Sequence, residues 1–138
     1  ISINKKEGDK KTPKGIFKIE HLYFRKDRLQ KPITKLKCLE IKKNMAWCDD
    51  IKYPKKYNKL IKISKKTNHE ILKRKDYKYD LLIPIKYNFN NPVVNLGSCI
   101  FIHLTKNYQP TNGCIALKKK DFLIMLKLIK RNTKIKIF

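Results

Sequence analysis

A mainly β domain with a single helix near its C-terminal end is the fold class that this sequence predicts. Short apolar runs rich in Ile, Leu, Phe and Tyr, separated by turn-forming residues, occupy most of the 138-residue chain. Only the stretch after residue 117 changes to a helical period, with apolar residues three or four positions apart. We therefore expect one domain over residues 1–138, built as two packed sheets or a flattened barrel with one helix.

The first half of the chain predicts two strands and a loop. Gly15 to Phe24 alternates apolar and polar residues after a glycine turn, as a strand does. Arg25 to Pro32 is polar and turn-like, and Leu36 to Ile41 is a second, short strand. Trp47 to Asn58 has no clear period, so we expect a long loop there.

The second half predicts three strands and the helix. Leu81 to Ile85 is a strand whose Pro84 should lie at a sheet edge or a bulge, because proline cannot donate to a ladder. Cys99 to Ile102 is apolar and has the length of a buried strand. Asp121 opens the helical run, and Thr133 to Phe138 alternates as a final strand. The strand order and the oligomeric state do not follow from the sequence.

The chain is strongly basic, with 35 Lys and Arg against 11 Asp and Glu and a net charge of +24. Nucleic-acid-binding proteins share such a charge, but these lysines are scattered and no nucleic-acid motif is present, so we expect no specific nucleic-acid partner. No apolar run has the length of a membrane span. The chain begins at Ile1 without Met, so we expect a processed or truncated N-terminus from which any targeting segment is missing.

The four cysteines, Cys38, Cys48, Cys99 and Cys114, show neither a zinc pattern nor an assignable disulfide pairing. Cys38 and Cys99 lie in apolar, strand-like contexts, where we expect small buried side chains. We expect no cofactor and no bound metal ion.

The stretch from His103 to Cys114, HLTKNYQPTNGC, has the clearest chemical pattern. The histidine ends a strand, and a Pro-Thr-Asn-Gly turn returns the chain to it, which brings thiol and imidazole together. A thiolate attacks carbonyls, and an adjacent imidazole can take the proton and stabilise the ion. Gly113 permits a tight turn that points its own amide and that of Cys114 at a developing oxyanion. Taken alone, both side chains could also be packing residues.

This motif resembles that of the YkuD-type L,D-transpeptidases, cysteine enzymes of peptidoglycan in which a strand-borne His precedes a Ser/Thr-x-Gly-Cys turn. Thr111, Gly113 and Cys114 match it, and Glu7 to Phe17 resembles the family's Thr-Pro-x-Gly-x-Phe opening. A bacterial branch of the family is closer still. The segments that resemble this branch are Trp47-Cys48-Asp49-Asp50, His69-Glu70, Tyr79-Asp80, Tyr87-Asn88 and Pro110 through Leu117.

The resemblance implies a YkuD-like β-sandwich or flattened barrel and the reaction L,D-transpeptidation. Cys114 would attack the carbonyl at the L-centre of diaminopimelate in a tetrapeptide stem, with His103 as the base and Thr111 supporting the turn or the imidazole. Release of D-Ala and transfer to an acceptor amine would follow. Water can resolve the same acyl-enzyme, so an L,D-carboxypeptidase or a crosslink-cleaving hydrolase is an alternative. A non-catalytic peptidoglycan-binding module with the same fold is another.

The resemblance also implies where the substrate binds. The residues predicted to contact it are Trp47, Asp49, Asp50, His69, Tyr87, Asn88 and Asn112. Asn112 and Ala116 depart from the wider family, in which many members have His and Arg at these positions. The implied partners are peptidoglycan stem peptides and anionic envelope polymers, and the implied location is the periplasm or cell envelope.

The Trp-Cys-Asp-Asp segment has three interpretations. In the first, Trp47 packs on the core and the two aspartates are solvated. In the second, Asp49, Asp50 and His69 bind a metal ion, although they lack the close paired spacing of typical ligands. In the third, which the branch resemblance favours, the segment forms one wall of a substrate cleft, with Trp47 as a stacking surface and an aspartate that binds an ammonium group.

Overall fold

A computed structural model describes all 138 residues and contains ten strands and one helix. The strands are β1 (Gly15–Lys18), β2 (Leu22–Phe24), β3 (Cys38–Glu40), β4 (Met45–Cys48), β5 (Leu60–Lys62), β6 (His69–Ile71), β7 (Leu81–Pro84), β8 (Phe101–Leu104), β9 (Ile115–Leu117) and β10 (Lys134–Ile137). Helix α1 spans Lys119–Leu128. No helix has the length and apolarity that crossing a membrane requires.

Five strands form a central mixed sheet in the order β3-β2-β7-β8-β9. The two outer pairs are parallel, whereas β7 is antiparallel to both of its neighbours. Alternate residues of β8 face opposite sides, so that Ile102 and Leu104 belong to one apolar core and Phe101 belongs to a second. The central sheet therefore has a core on each face.

Different elements cover the two faces of this sheet. On one face, Phe122 and Leu126 of α1 lie four residues apart and are fully buried in a core that also contains Ile137 of β10. On the other face lies a second sheet, in the order β5-β4-β6, whose Trp47 packs edge-on against Phe101. Two sheets thus enclose the second core, and the predicted mainly β, sandwich-like fold with one helix after the Cys turn is confirmed.

Three predicted elements were wrong in detail. Gly15 to Phe24 is two strands rather than one, because the chain leaves the β1–β10 ribbon after Lys18 and enters the central sheet at Leu22. Trp47 lies in β4, the middle strand of the second sheet, and not in a loop. Pro84 ends a central strand rather than an edge strand. It lies beyond the residues of β7 that pair with β2, so its missing N–H breaks no hydrogen bond of that pair.

The remaining predicted elements are confirmed, with shifted bounds. Strand β3 lies inside the predicted Leu36 to Ile41, and β10 lies inside Thr133 to Phe138. The strand predicted over Cys99 to Ile102 begins two residues later and includes His103. The helix begins at Lys119 rather than at Asp121.

Candidate active site

A cleft of about 500 Å³ contains both His103 and Cys114. His103 belongs to β8, and Cys114 directly precedes β9. The two strands are parallel neighbours, with Ile115 opposite Ile102 and Ala116 opposite His103. The register of the central sheet therefore brings together the thiol and the imidazole that the turn motif predicted.

The Cys114 thiol is a neutral group in this structure. Its Sγ donates to the carbonyl oxygen of Cys99 at 3.2 Å. Burial raises the pKa of Cys114 to about 11, and the charge of Glu70 acts in the same direction. The backbone N–H of Phe101, which bonds to the sulfur, and the charge of Lys5 lower this pKa by less. The protonated thiol is therefore the resting form at neutral pH.

The imidazole of His103 is neutral as well, and its tautomer is fixed. His103 is 8% exposed, and burial lowers its pKa below the ordinary value of 6.5. Its Nδ1 lies 2.9 Å from the carbonyl oxygen of Leu104. A carbonyl oxygen can only accept, so Nδ1 carries the proton and Nε2 keeps a free lone pair. The site therefore combines a neutral thiol with a neutral base, rather than a preformed thiolate–imidazolium pair.

The turn before Cys114 depends on one glycine and one hydroxyl. Gly113 has φ +108°, and a Cβ at this position would lie 2.8 Å from the backbone oxygen of Lys11. A side chain at position 113 would be strained by the positive φ and would clash with the Lys11 backbone, so only glycine fits there. The hydroxyl of Thr111 donates to the carbonyl oxygen of Cys114, which closes the turn. Thr111 thus supports the turn, the first of its two predicted roles.

The amides of this turn are free to bind an anion. The backbone N–H groups of Gly113 and Cys114 donate to no backbone or side-chain acceptor in the structure. Such unpaired amides beside a nucleophile are the donors that stabilise a tetrahedral oxyanion. The cleft therefore contains a thiol and a neutral imidazole, next to a turn that has two unpaired amides.

A comparison with protein-family models identifies the family. The model described as the L,D-transpeptidase catalytic domain, YkuD, matches residues 1–137. This chain belongs to the YkuD family. The resemblance inferred from the motifs is thereby confirmed, and the family acts on peptidoglycan stem peptides. Comparisons with curated proteins and with solved structures find no match.

The YkuD site of this chain also contains a tyrosine to which the sequence assigned no role. Tyr79 is buried, and its ring packs edge-on against the His103 ring with centroids 5.6 Å apart. The Tyr79 hydroxyl donates to Glu70 Oε1 at 2.9 Å, and the Arg74 guanidinium lies 5.0 Å over the Tyr79 ring. Burial raises the pKa of Tyr79 far above its ordinary value. A neutral, fixed phenol therefore limits rotation of the imidazole.

Two of the seven predicted substrate-contacting residues line the YkuD cleft. Asn112 is exposed in the turn before the nucleophile. Asp49 follows β4 directly and is half-buried, and its Oδ1 is buried without a hydrogen-bond partner. Burial, together with the charges of Glu7 and Glu70, raises the pKa of Asp49.

Trp47 and Asp50 lie behind the cleft rather than on its lining. Trp47 is 3% exposed, and its Nε1 donates to Asn58 Oδ1 at 2.8 Å. It therefore packs in the core, in agreement with the first interpretation of the Trp-Cys-Asp-Asp segment. Asp50 is buried instead of solvated. Its carboxylate accepts the backbone amides of Lys52 and Asn68 at 3.0 and 2.9 Å, which fixes the loop that follows Asp49.

The other three predicted residues also bond within the protein. His69 Nδ1 lies 2.7 Å from the carbonyl oxygen of Thr67. Tyr87 packs edge-on against Phe17 with ring centroids 5.5 Å apart. The Asn88 amide donates to two carbonyls of the loop that follows it.

The structure brings no three His, Cys, Asp or Glu side chains together as metal ligands, and all four cysteines are free thiols.

We expect the alkylation of Cys114 by iodoacetamide to increase steeply with pH. Only the thiolate reacts, so a pKa near 11 leaves a thiolate fraction of about 10⁻⁴ at pH 7 and a roughly tenfold rise for each pH unit up to 11. The measurement is the alkylation rate by intact mass spectrometry between pH 5 and 11. A rate that is already at its plateau at pH 6 would instead show a thiolate–imidazolium pair.

Proposed function

We propose that this chain is a peptidoglycan L,D-transpeptidase that forms crosslinks through a thioester on Cys114. The observation that supports this most directly is that the Cys114 thiol and the neutral His103 imidazole line one cleft of a YkuD domain, next to a turn with two unpaired amides. The donor is a tetrapeptide stem, and the carbonyl attacked is that of the L-centre of diaminopimelate.

In the first half-reaction, His103 Nε2 accepts the thiol proton as the sulfur attacks the donor carbonyl. Because the Cys114 thiol and the His103 imidazole are both neutral at rest, the proton moves from sulfur to nitrogen during the attack. No thiolate needs to accumulate beforehand. The oxyanion accepts hydrogen bonds from the Gly113 and Cys114 amides, and His103 then protonates the departing amine of D-Ala. In the second half-reaction, an acceptor amine attacks the thioester and the thiol is restored.

The predicted substrate-contacting residues have two roles in this proposal. Asp49 and Asn112, on the cleft lining, contact the peptide directly. The other five residues lie outside the cleft lining and stabilise the surrounding structure through their hydrogen bonds and packing. They are Trp47, Asp50, His69, Tyr87 and Asn88. Asp50 is the clearest case, because it fixes the chain next to Asp49.

The substrate class places the protein in the cell envelope, and we propose the periplasm as its compartment. There the net charge of +24 attracts anionic envelope polymers without sequence recognition. Such attraction raises the local concentration of the enzyme at its polymeric substrate.

Incubation with purified disaccharide-tetrapeptides, followed by mass analysis of the products, tests the proposal. We expect release of D-Ala together with crosslinked dimers, because the acyl group passes from Cys114 to an amine. Tripeptides without dimers would show that water, and not an amine, resolves the acyl-enzyme. That result would support the L,D-carboxypeptidase alternative. Bound but unchanged peptide would contradict catalysis and support the binding module.

A further inference from the structure

The carbonyl oxygen that holds the Cys114 thiol belongs to a residue with an unusual backbone. Cys99 has φ +55°, in the left-handed region that a residue with a Cβ rarely adopts. Its carbonyl accepts the hydrogen of Cys114 Sγ at 3.2 Å. The backbone angles of Cys99 set the direction of this carbonyl. A change in those angles would therefore turn the acceptor away from the sulfur.

The side chain of Asn58 holds this backbone in place. Its Oδ1 accepts the Cys99 amide at 3.1 Å and the Trp47 Nε1–H at 2.8 Å. Its Nδ2 donates to the carbonyl oxygens of Tyr87 and Asn88, at 3.1 and 2.7 Å. N–H groups can only donate and carbonyls can only accept, so the Asn58 amide has one possible orientation. Asn58 is 4% exposed, and each hydrogen-bonding position of its amide is filled.

The neighbouring residue, Tyr57, holds the same loop at a second point. The Tyr57 hydroxyl accepts the amide of Gly97 at 3.1 Å, as Asn58 accepts that of Cys99. Gly97 also has a positive φ, of +112°. Glycine adopts such a conformation freely, whereas Cys99 does so against the crowding of its Cβ. A strained backbone persists only where its surroundings hold it, so the bond from Asn58 matters most at Cys99.

We propose that Asn58 is a positioning residue of the active site, which fixes the Cys99 carbonyl and, through it, the rotamer of the Cys114 thiol. The inference rests on the proposed function and adds to it a residue outside the cleft lining. A cysteine side chain has several staggered rotamers, and the bond to Cys99 selects one of them. The sulfur therefore occupies one place in the cleft before the donor arrives, which favours a near-attack geometry.

The bond to Cys99 acts before the chemical step and ends with it. As the C–S bond to the donor carbonyl forms, the S–H bond breaks and the proton passes to His103 Nε2. The Cys99 carbonyl thus sets where the sulfur starts and takes no part afterwards. Loss of the Asn58 bond should slow acylation without weakening donor binding, because Asn58 is not on the lining that the donor contacts.

The variants Asn58→Gly and Asn58→Asp separate positioning from stability. Glycine adopts the φ of +53° at position 58 freely, but it has no Oδ1 and releases the Cys99 amide. Aspartate keeps Oδ1 for Cys99 and Trp47 and loses only the two donations from Nδ2. Both variants lose buried hydrogen bonds, so both should unfold at a lower temperature. Leu126→Ala is the stability control, because Leu126 is fully buried in the core on the opposite face of the central sheet from Trp47.

Three rates are measured and divided by the folded fraction from circular dichroism. They are D-Ala release from a disaccharide-tetrapeptide, as kcat and KM, adduct formation at Cys114 with a carbapenem, whose strained lactam acylates a thiol, and alkylation of Cys114 by iodoacetamide. We expect Asn58→Gly to lower kcat and the adduct rate by about tenfold or more, with KM within about threefold. Asn58→Asp and Leu126→Ala should keep the adduct rate within about threefold of wild type. Asn58→Gly should alkylate at least as fast as wild type, since a small diffusing reagent needs no fixed rotamer.

Equal adduct rates in Asn58→Gly and wild type, or an equal loss in Asn58→Gly and Asn58→Asp, would overturn the positioning role. A rise in KM at unchanged kcat would overturn it as well. If Asn58→Gly does not fold, Asn58→Asp decides, because it keeps the bond to Cys99: a fall in its adduct rate of about tenfold would overturn the role, and a wild-type rate would support it. A wild type that forms the carbapenem adduct but releases no D-Ala would remove the proposed function alone, and the adduct rates would still test Asn58.

Discussion

Replacing Cys114 by alanine is expected to reduce turnover of the stem peptide by at least about 10⁴-fold, as removal of a nucleophile does in other acyl-transfer enzymes. No other thiol can substitute for it. Cys48 is fully buried in β4, and Cys38 lies in a separate groove with Phe24. Cys99 also lines the cleft, but its Sγ donates to the carbonyl oxygen of Trp47 at 3.9 Å and its own amide donates to Asn58 Oδ1, so it lacks the free amide that Cys114 has.

A carbapenem provides the most direct measurement of this effect. Its strained lactam carbonyl presents the electrophile that the thiol attacks in the donor, so wild-type protein should gain the mass of one molecule and Cys114→Ala none. Cys38→Ser is the control and should acylate like the wild type. The alanine variant should remain folded, because loss of one partly buried sulfur costs about 1 kcal/mol. An adduct that maps to Cys48 or Cys99, or an active Cys114→Ala protein, would show that the site is assigned wrongly.

The presence of His103 and Cys114 in one cleft was predictable because its determinants are local. His103 and Cys114 are eleven positions apart, and the intervening Pro, Asn and Gly predict turns in the segment between them. Because β8 and β9 are parallel, this segment crosses back towards the start of β8 and does not form a hairpin. Once β8 and β9 pair in parallel, with Ile115 opposite Ile102, the thiol and the imidazole line the same cleft. The protonation states were not predictable. The protonation states of Cys114 and His103 depend on how deeply the fold buries these two side chains. The degree of burial follows from long-range packing, which no local pattern in the sequence predicts.

Glu70 and Tyr79 were not predictable as site residues because their positions depend on long-range pairing. Glu70 reaches the cleft through its register opposite Trp47 in β4, and Tyr79 through packing against Phe101 and His103. No spacing in the sequence connects these residues to Cys114. The same cause explains the missed strand β4, in which Ala46, Trp47 and Cys48 are all buried. A strand covered on both faces lacks the apolar–polar alternation that identifies strands in a sequence.

The second large effect is expected for Gly113→Ala, which should slow acylation of Cys114 by about 10²- to 10³-fold, or roughly 3 to 4 kcal/mol. At φ +108° an alanine is strained, and its Cβ would lie 2.8 Å from the Lys11 backbone oxygen. The turn must move away from this contact. The amides of residues 113 and 114 would then no longer point at the oxyanion, while the thiol and the imidazole would remain.

Gly8→Ala is the matched control for backbone strain. Gly8 also has a left-handed backbone, with φ +78°, and although it lies on the cleft lining, a Cβ there meets nothing within 4 Å. Both variants should lose stability through the strained backbone, by about 1 kcal/mol. Only Gly113→Ala should lose acylation by a carbapenem as well. The measurements are the thermal unfolding midpoint and the rate of adduct formation, and equal acylation rates in the two variants would contradict the role assigned to the turn.

Alkylation separates the oxyanion donors from the nucleophile in the same variant. Iodoacetamide reacts with the thiolate at a saturated carbon, so no oxyanion develops and the amides of Gly113 and Cys114 contribute nothing. Acylation by a carbapenem passes through a tetrahedral oxyanion and needs both amides. We therefore expect Gly113→Ala to alkylate within about threefold of the wild-type rate while its acylation falls by two orders of magnitude or more. A parallel loss of both reactions would show that the substitution displaces Cys114 itself, and the free amides would then have no separate catalytic role.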